Sequence, residues 1–343
     1  MIQEWLSLFE SPNLRWVLFG TMFLGIASGV IGSFVLLRKE SLVGEAMSHA
    51  ALPGVCLGFL VAGRELPALM IGAGIFGFVT LWCIRVIHTQ TKLKQDTAIG
   101  LILSVFFGLG IVLLTMITNS ASGNKSGLDS YIFGQAASMV QIDVWMMSGV
   151  AVLVILSALL FFKEWKLVIF DPLFAGGLGW KTKSLSSILS LSIVMIVTAG
   201  IQAVGIILMS ALIITPAIAA RYWTDRLGIM VILSAVIGAF SGFSGAALSA
   251  VGTGIPTGPV VVLIATAVFL LSFLFAPKRG KLARIIEHRQ FRRQWKKQQA
   301  IQALDLVSEA AESSYASWQK ELGAESREAR RLWNWLKKNR YLT

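Results

Sequence analysis

The chain has 343 residues, of which 55% are hydrophobic and 14% are charged. Soluble domains average about 25% charged residues, so this composition excludes a single soluble domain and predicts an all-α, polytopic membrane helix bundle. The net charge is +12, and the stretch from residue 278 onward carries 16 Lys or Arg against 7 Asp or Glu. We therefore expect a transmembrane domain over residues 1–276 and a basic helical cytoplasmic extension over residues 277–343.

Nine apolar stretches approach the roughly 20 residues that a membrane-spanning helix needs. They lie at 14–37, 42–62, 66–87, 98–118, 143–162, 186–201, 203–220, 228–249 and 257–276. The uncharged stretch 186–220 is too long for one ordinary span and short for two. Gly200, Gln202 and Gly205 offer a turn within it, which favours nine spans. Eight spans, with one segment re-entrant, is the alternative.

Lysine and arginine residues predict the orientation of the bundle, because cytoplasmic loops carry more of them. With nine spans and the N-terminus outside, three basic residues fall outside: Arg15, Arg64 and Lys125. The basic residues that fall inside are Arg38, Lys39, Arg85, Lys92, Lys94, Lys163, Lys166, Lys181, Lys183, Arg221 and Arg226. The same arrangement places the C-terminal extension in the cytoplasm.

The second span contains a carboxylate and an imidazole, Glu45 and His49, in an otherwise apolar segment. Residues four apart lie on the same side of a helix, one turn from each other. Ionisable groups at membrane depth are costly and usually functional, and Glu with neutral His is half of a divalent-metal site. A buried, hydrogen-bonded pair that fixes helix packing is the alternative. Pro53-Gly54 follow directly and predict a break in the helix beside a polar path.

The run Gly44-Glu45-Ala46-Met47-Ser48-His49-Ala50-Ala51-Leu52-Pro53-Gly54-Val55 resembles the signature of the membrane subunit of ABC importers for manganese, zinc or iron. That family usually reads Gly-Asp-Ala-hydrophobic-Ser-His-Ala-x-Leu-Pro-Gly, so Glu45 stands where Asp is usual. The resemblance implies that Glu45 and His49 bind the transported Mn²⁺, Zn²⁺ or Fe²⁺. It also implies two permease chains, identical or paralogous, which together supply two carboxylates and two imidazoles.

Further partners follow from this resemblance. The sequence has no ATP-binding motif, so the chain is not expected to be an enzyme, and a separate ATP-binding subunit is implied. The family also implies an extracytoplasmic metal-binding protein, no permanently bound cofactor, and a multi-pass location in the bacterial inner membrane. A gradient-driven secondary cation transporter is the alternative, because it too would place polar residues at the membrane midplane.

Two loops resemble partner-binding segments of the same family. In the outside loop 119–142, Tyr131-Ile132-Phe133-Gly134 is similar to a Leu-Phe-Gly segment, and the loop is either a docking surface for the metal-binding protein or a solvated connector. In the inside loop 163–184, Asp171 and Pro172 predict a capped short helix. The resemblance implies that this helix is the coupling segment that contacts the ATPase. Its residues are Asp171, Pro172, Leu173, Phe174, Ala175 and Gly176.

The resemblance extends to two later segments, 204–221 and 254–259, and ends near residue 276. The basic extension 277–343 lies beyond it. Its basic and aromatic residues favour a segment that lies on anionic membrane lipid or on the ATPase. A disordered extension and a DNA-binding regulatory segment are the alternatives, but binding to nucleic acid is not favoured because basic charge with tryptophan is a weak signal.

Overall fold

The computed structural model describes residues 12–63, 65–119, 134, 139–251, 255–277 and 279–285, together with scattered positions beyond residue 285. The backbone contacts divide the chain into two units, Met1–Lys278 and Arg279–Thr343. The described part of the first unit contains eleven α-helices and no strand. They are α1 (Pro12–Leu37), α2 (Ser41–Ala62), α3 (Leu66–Gln90), α4 (Gln95–Asn119), α5 (Gln141–Leu160), α6 (Phe162–Phe170), α7 (Pro172–Gly177), α8 (Thr182–Val204), α9 (Ile206–Trp223), α10 (Leu227–Val251) and α11 (Thr257–Phe275).

Eight of the described helices are long and apolar enough to cross a membrane. They are α1 to α5, α8, α10 and α11, and the apolar part of α9, Leu208–Trp223, is shorter. The predicted all-α membrane bundle is therefore confirmed, with eight spans by length and composition and α9 as an additional apolar helix. The orientation of the termini and the functional division at residue 276 stay predictions.

The uncharged stretch 186–220 divides into two helices, as predicted, and the turn between them is a single glycine. Gly205 has φ 92°, a left-handed conformation that residues with a Cβ rarely adopt. Gly134, from the outside-predicted loop, has φ 73° and lies against this turn, where an added Cβ would overlap the backbone of Val204. Gly200, which we predicted as part of the turn, instead lies inside α8 and packs against Met209.

The first helix is the centre of the bundle and packs most extensively against α10. Small residues let the two backbones approach closely, because a Cβ on Gly25 would overlap the carbonyl of Gly238, and one on Gly29 would overlap that of Ser234. Ser234 Oγ also donates a hydrogen bond to the Gly29 carbonyl, at 2.7 Å. Helices in lipid associate through such small-residue contacts and interhelical hydrogen bonds, so this pair forms the rigid support of the bundle.

The second helix packs between α3 and α4, and it is continuous through Pro53. The predicted break at Pro53-Gly54 is therefore wrong. Gly54 serves helix packing instead, since an added Cβ would overlap the carbonyl of Gly72 on α3. Leu52 and Pro53 fill the space beside Gly110 of α4, where a Cβ would lie 2.9 Å from each of them. Contacts on both sides hold α2 in helical form despite the hydrogen bond that proline cannot donate.

Candidate metal site and coupling helix

Glu45 and His49 lie one turn apart on α2, as the four-residue spacing predicts. Both side chains are partly exposed, whereas the intervening residues Ala46, Met47 and Ser48 are buried in the bundle. The pair therefore lies at the edge of the buried face of α2. This position leaves both side chains open to a bound ion or to a second protein chain.

The His49 ring packs against Phe107 of α4 in an edge-to-face arrangement, with ring centroids 4.8 Å apart and an interplanar angle of 75°. Its Nδ1 atom is buried and has no hydrogen-bond partner among the described residues. Leaving a buried polar atom unpaired costs about 1–3 kcal/mol, so this atom makes His49 a candidate functional residue. Sequence reasoning did not identify Phe107, because contacts between helices leave no local sequence signal.

No hydrogen bond or ion pair joins Glu45 to His49 in the described part of the chain. The interpretation of the two residues as a hydrogen-bonded structural pair therefore has no support in their geometry. Pro53, one turn after His49, has no N–H to donate to the His49 carbonyl.

The predicted metal site has two candidate ligands in this chain, Glu45 and His49. No group of three or more His, Cys, Asp or Glu side chains suited to a metal occurs among the described residues. Cys56, two turns after His49, is buried, and its Sγ lies 3.9 Å from the Gly110 carbonyl. It therefore packs as a small apolar residue.

A polar network precedes this pair and connects three helices. Glu40 Oε1 accepts hydrogen bonds from Arg38 Nη2 at 2.8 Å and from Gln95 Nε2 at 2.9 Å. Arg38 follows the end of α1, Glu40 precedes α2 and Gln95 begins α4. The network fixes the start of α2 relative to its neighbours one turn before Glu45. The charged turn at residues 38–40 is visible in the sequence, but the partner Gln95 is not.

The predicted coupling segment forms the short helix α7, and its predicted cap is present. Asp171 Oδ1 accepts a hydrogen bond from the Phe174 N–H at 2.9 Å, and Pro172 occupies the first turn. Ala175 is fully buried, whereas Leu173 and Phe174 are 87% and 56% exposed. Gly176 lies in the last turn and is also exposed. Large exposed apolar side chains mark an interaction surface, either for a protein partner or for the membrane.

Helix α6 connects α7 to the bundle. Its Trp165 is buried, and the indole Nε1 donates a hydrogen bond to the Leu185 carbonyl of α8 at 3.2 Å. The Trp165 ring also packs edge-to-face on Phe34 of α1, with centroids 5.2 Å apart. Trp165 therefore links α6, which directly precedes α7, to both α1 and α8. In the outside-predicted loop, Tyr131, Ile132 and Phe133 lie outside the described residues.

Comparison with known proteins identifies the family. A model of the ABC 3 transport family matches residues 10–276. The manganese transport system membrane protein MntC of Bacillus subtilis is 49% identical over 301 residues, which are 88% of this chain and 69% of that protein. The zinc transport system membrane protein TroC of Treponema pallidum is 41% identical over 285 residues, 83% of this chain and 96% of that protein.

A solved structure is also similar to this chain. The structure described as PsaBC from Streptococcus pneumoniae in complex with Fab matches at a TM-score of 0.73 and 32% sequence identity, and covers 84% of this chain and 100% of that chain. The match extends over the whole bundle, beyond the short run around Glu45 and His49 that first indicated the resemblance. The resemblance predicted from Gly44–Val55 is confirmed, and the chain belongs to the ABC 3 transport family.

Proposed function

We propose that the chain is the membrane permease subunit of an importer for a divalent transition metal, Mn²⁺, Zn²⁺ or Fe²⁺. The observation that carries this proposal is the Glu45–His49 pair at the edge of α2, with the unpaired Nδ1 atom of His49. Relatives named as manganese and zinc transport proteins support the substrate class. The ion is cargo that passes through the permease, and the chain itself is not an enzyme.

The metal site is completed by a second permease chain, identical or paralogous. Two copies of the pair supply two carboxylate and two imidazole groups, which suit all three ions. Beside His49, helix α4 presents an exposed face that contains Gly100, Ser104, Phe107 and Ile111. A Cβ added at Gly100 would meet nothing within 4 Å. Small residues at this face allow a second helix to approach closely, which would bring the two Glu–His pairs together.

This pairing predicts a cross-link at Ser104. We expect a cysteine at Ser104, in a chain whose Cys56 and Cys83 are replaced by alanine, to form a cross-linked dimer in membranes treated with a short thiol reagent. A cysteine at Leu263, which is 70% exposed on α11, is the matched control and should give no dimer. A cross-link to a different permease chain would assign a paralogous partner, whereas dimers at Leu263 alone would contradict the proposed face.

Energy comes from a separate ATP-binding subunit that docks on the exposed apolar face of α7. The Trp165 contact then transmits ATPase movement to α1 and α8, and the Arg38–Glu40–Gln95 network transmits it from the end of α1 to the start of α2. An extracytoplasmic binding protein delivers the ion to the opposite side of the bundle. We place the complex in the bacterial inner membrane, with the extension 277–343 at the cytoplasmic surface.

The proposed function is tested by transport in proteoliposomes that contain the permease, its ATPase and its binding protein. We expect Mn²⁺ or Zn²⁺ to accumulate only with ATP on the ATPase side and with the binding protein on the other side. Competition among Mn²⁺, Zn²⁺ and Fe²⁺ then identifies the preferred ion. Accumulation by the permease alone, driven by a proton or sodium gradient, would instead establish a secondary cation transporter.

A further inference from the structure

A cavity of about 460 Å³ lies where the ends of α1, α3 and α8 meet the helices α6 and α7. It is separate from the Glu45–His49 pair, since neither residue lines it. The residues that line it are Leu37, Arg38, Lys39, Arg85, Trp165, Val168, Ile169, Pro172, Thr182, Lys183, Leu185, Ser186 and Leu189. The lining combines an apolar wall with a basic rim. The wall indicates a ligand with an apolar part, and the rim indicates that the same ligand has an anionic part.

The basic rim has an excess of positive charge. Four cationic side chains line the cavity, those of Arg38, Lys39, Arg85 and Lys183, and no acidic residue does so among the described residues. Arg38 is paired with Glu40, which lies outside the lining, and Arg85 donates a hydrogen bond to Ser187. Lys39 and Lys183 are exposed and form no ion pair in the described part of the chain. The cavity therefore has two uncompensated ammonium groups.

The backbone at Lys39 closes helix α1 and fixes the position of this residue at the cavity. Lys39 has φ 59°, the left-handed conformation that ends α1 and usually belongs to glycine. It is the one residue other than glycine with a positive φ in the described part of the chain. The N–H groups of Lys39 and Glu40 donate hydrogen bonds to the carbonyls of Leu36 and Val35, so this turn is hydrogen-bonded and holds Lys39 at the rim of the cavity.

The apolar wall is made by Leu37, Val168, Ile169, Leu185 and Leu189. It suits a hydrocarbon chain, and a free phosphate or nucleotide would gain nothing from it. Only Pro172 of α7 reaches the cavity, whereas Leu173 and Phe174, the residues proposed to contact the ATPase, do not line it. A basic pocket between membrane helices with such a wall is typical of a binding site for an anionic phospholipid.

We propose that this cavity binds the phosphate headgroup of an anionic phospholipid, such as phosphatidylglycerol or cardiolipin, from the adjoining membrane leaflet. Lys39 and Lys183 hold the phosphate, and the upper part of the acyl chains lies along the wall beside Val168 and Leu189. The bound lipid joins the turn between α1 and α2 to the start of α8. This contact also places a lipid between the coupling helix and the helix that carries Glu45 and His49. The roles of these two helices rest on the proposed function.

The test measures lipid binding by the full-length chain in neutral detergent, without the ATPase. Phosphatidylglycerol with a photoreactive headgroup is titrated against the parent chain and against the double variant Lys39→Gln, Lys183→Gln. We expect cross-links to the peptide that contains Thr182–Leu189, with half-saturation in the double variant at about 30-fold higher lipid, since each basic residue near a lipid surface contributes about 1 kcal/mol. The matched control is Lys163→Gln, Lys166→Gln, two exposed lysines of α6 that do not line the cavity.

Three results would overturn the proposal. The first is equal cross-linking of Thr182–Leu189 in the double variant and the control. The second is equal labelling by photoreactive phosphatidylcholine, which has no net negative charge. The third is complete loss of labelling on addition of inorganic phosphate, under conditions where added phosphatidylcholine does not reduce the labelling. This result would establish a free-phosphate site. Because no transport is measured, failure of the proposed import function would leave these results unchanged.

Discussion

The variants Glu45→Gln and His49→Ala are each expected to abolish metal uptake while the chain still inserts, folds and binds its ATPase. Both side chains are partly exposed at the edge of α2 and form no hydrogen bond or ion pair with each other in the described part of the chain. Glu45→Gln therefore removes little packing, whereas His49→Ala also removes the ring contact with Phe107. Substitutions in the outer surroundings of metal ligands typically cost 10–100-fold, so loss of a ligand should reduce uptake by more than about 100-fold.

The choice of substitutions separates ligation from packing. Glu45→Gln keeps the size of the side chain and removes its charge, whereas Glu45→Asp keeps the charge and moves the oxygens by one methylene. We expect Glu45→Asp to retain much of the uptake, because Asp is the residue that the family usually has here, with a possible change in metal preference. Ser48→Ala is the matched control in α2, since Ser48 Oγ only donates to the Gly44 carbonyl of its own helix.

Uptake is measured with the assembled complex, and metal content is measured on the same purified protein. Near-normal Mn²⁺ and Zn²⁺ uptake by Glu45→Gln would refute the role of Glu45 as a ligand. Loss of uptake in Ser48→Ala to the same extent would show that α2 tolerates no change at all, and the ligand assignment would then lack support. Reduced metal content in Glu45→Gln and His49→Ala, with normal content in Ser48→Ala, supports the assignment directly.

Features set by local sequence were predicted well. Spans follow from apolar runs, and Glu45 and His49 meet on one side of α2 because a helix places residues four apart together. The cap of α7 follows from Asp171 and Pro172, because capping requires only neighbours in the chain. The division of 186–220 depends on Gly205, whose positive φ a glycine adopts readily.

Features set by packing between distant residues were missed. Pro53 should interrupt a helix by local rules, yet α2 continues, because Gly54 lies against Gly72 and Leu52 fills the space at Gly110. The partner of Glu40 and the ring beside His49 come from α4, more than 50 residues away in sequence. Neither contact has a periodic pattern that a single sequence would reveal. The proposed metal site takes ligands from two chains, so no feature of this chain alone could define its full geometry.

The variant Leu173→Asp is expected to disconnect the permease from its ATPase. Leu173 is 87% exposed at the start of α7, so a carboxylate there costs nothing in the folded permease and destabilises only an apolar interface. Truncation of an interface residue that dominates binding costs about 2 kcal/mol or more, which corresponds to about 30-fold weaker binding. We therefore expect ATPase copurification and ATP-driven uptake to fall together by about this factor.

The matched control is Leu93→Asp, which places the same charge on an exposed leucine of the turn between α3 and α4, on the same predicted side of the membrane. If α7 is the coupling helix, Leu93→Asp keeps its ATPase and its transport, and a cysteine at Phe174 cross-links to the ATPase. Normal ATPase binding by Leu173→Asp would contradict the assignment. If Leu173→Asp still binds the ATPase but does not support transport, the docking contact lies elsewhere, because a charge on a docking residue weakens the complex. The role of α7 would then be limited to transmission.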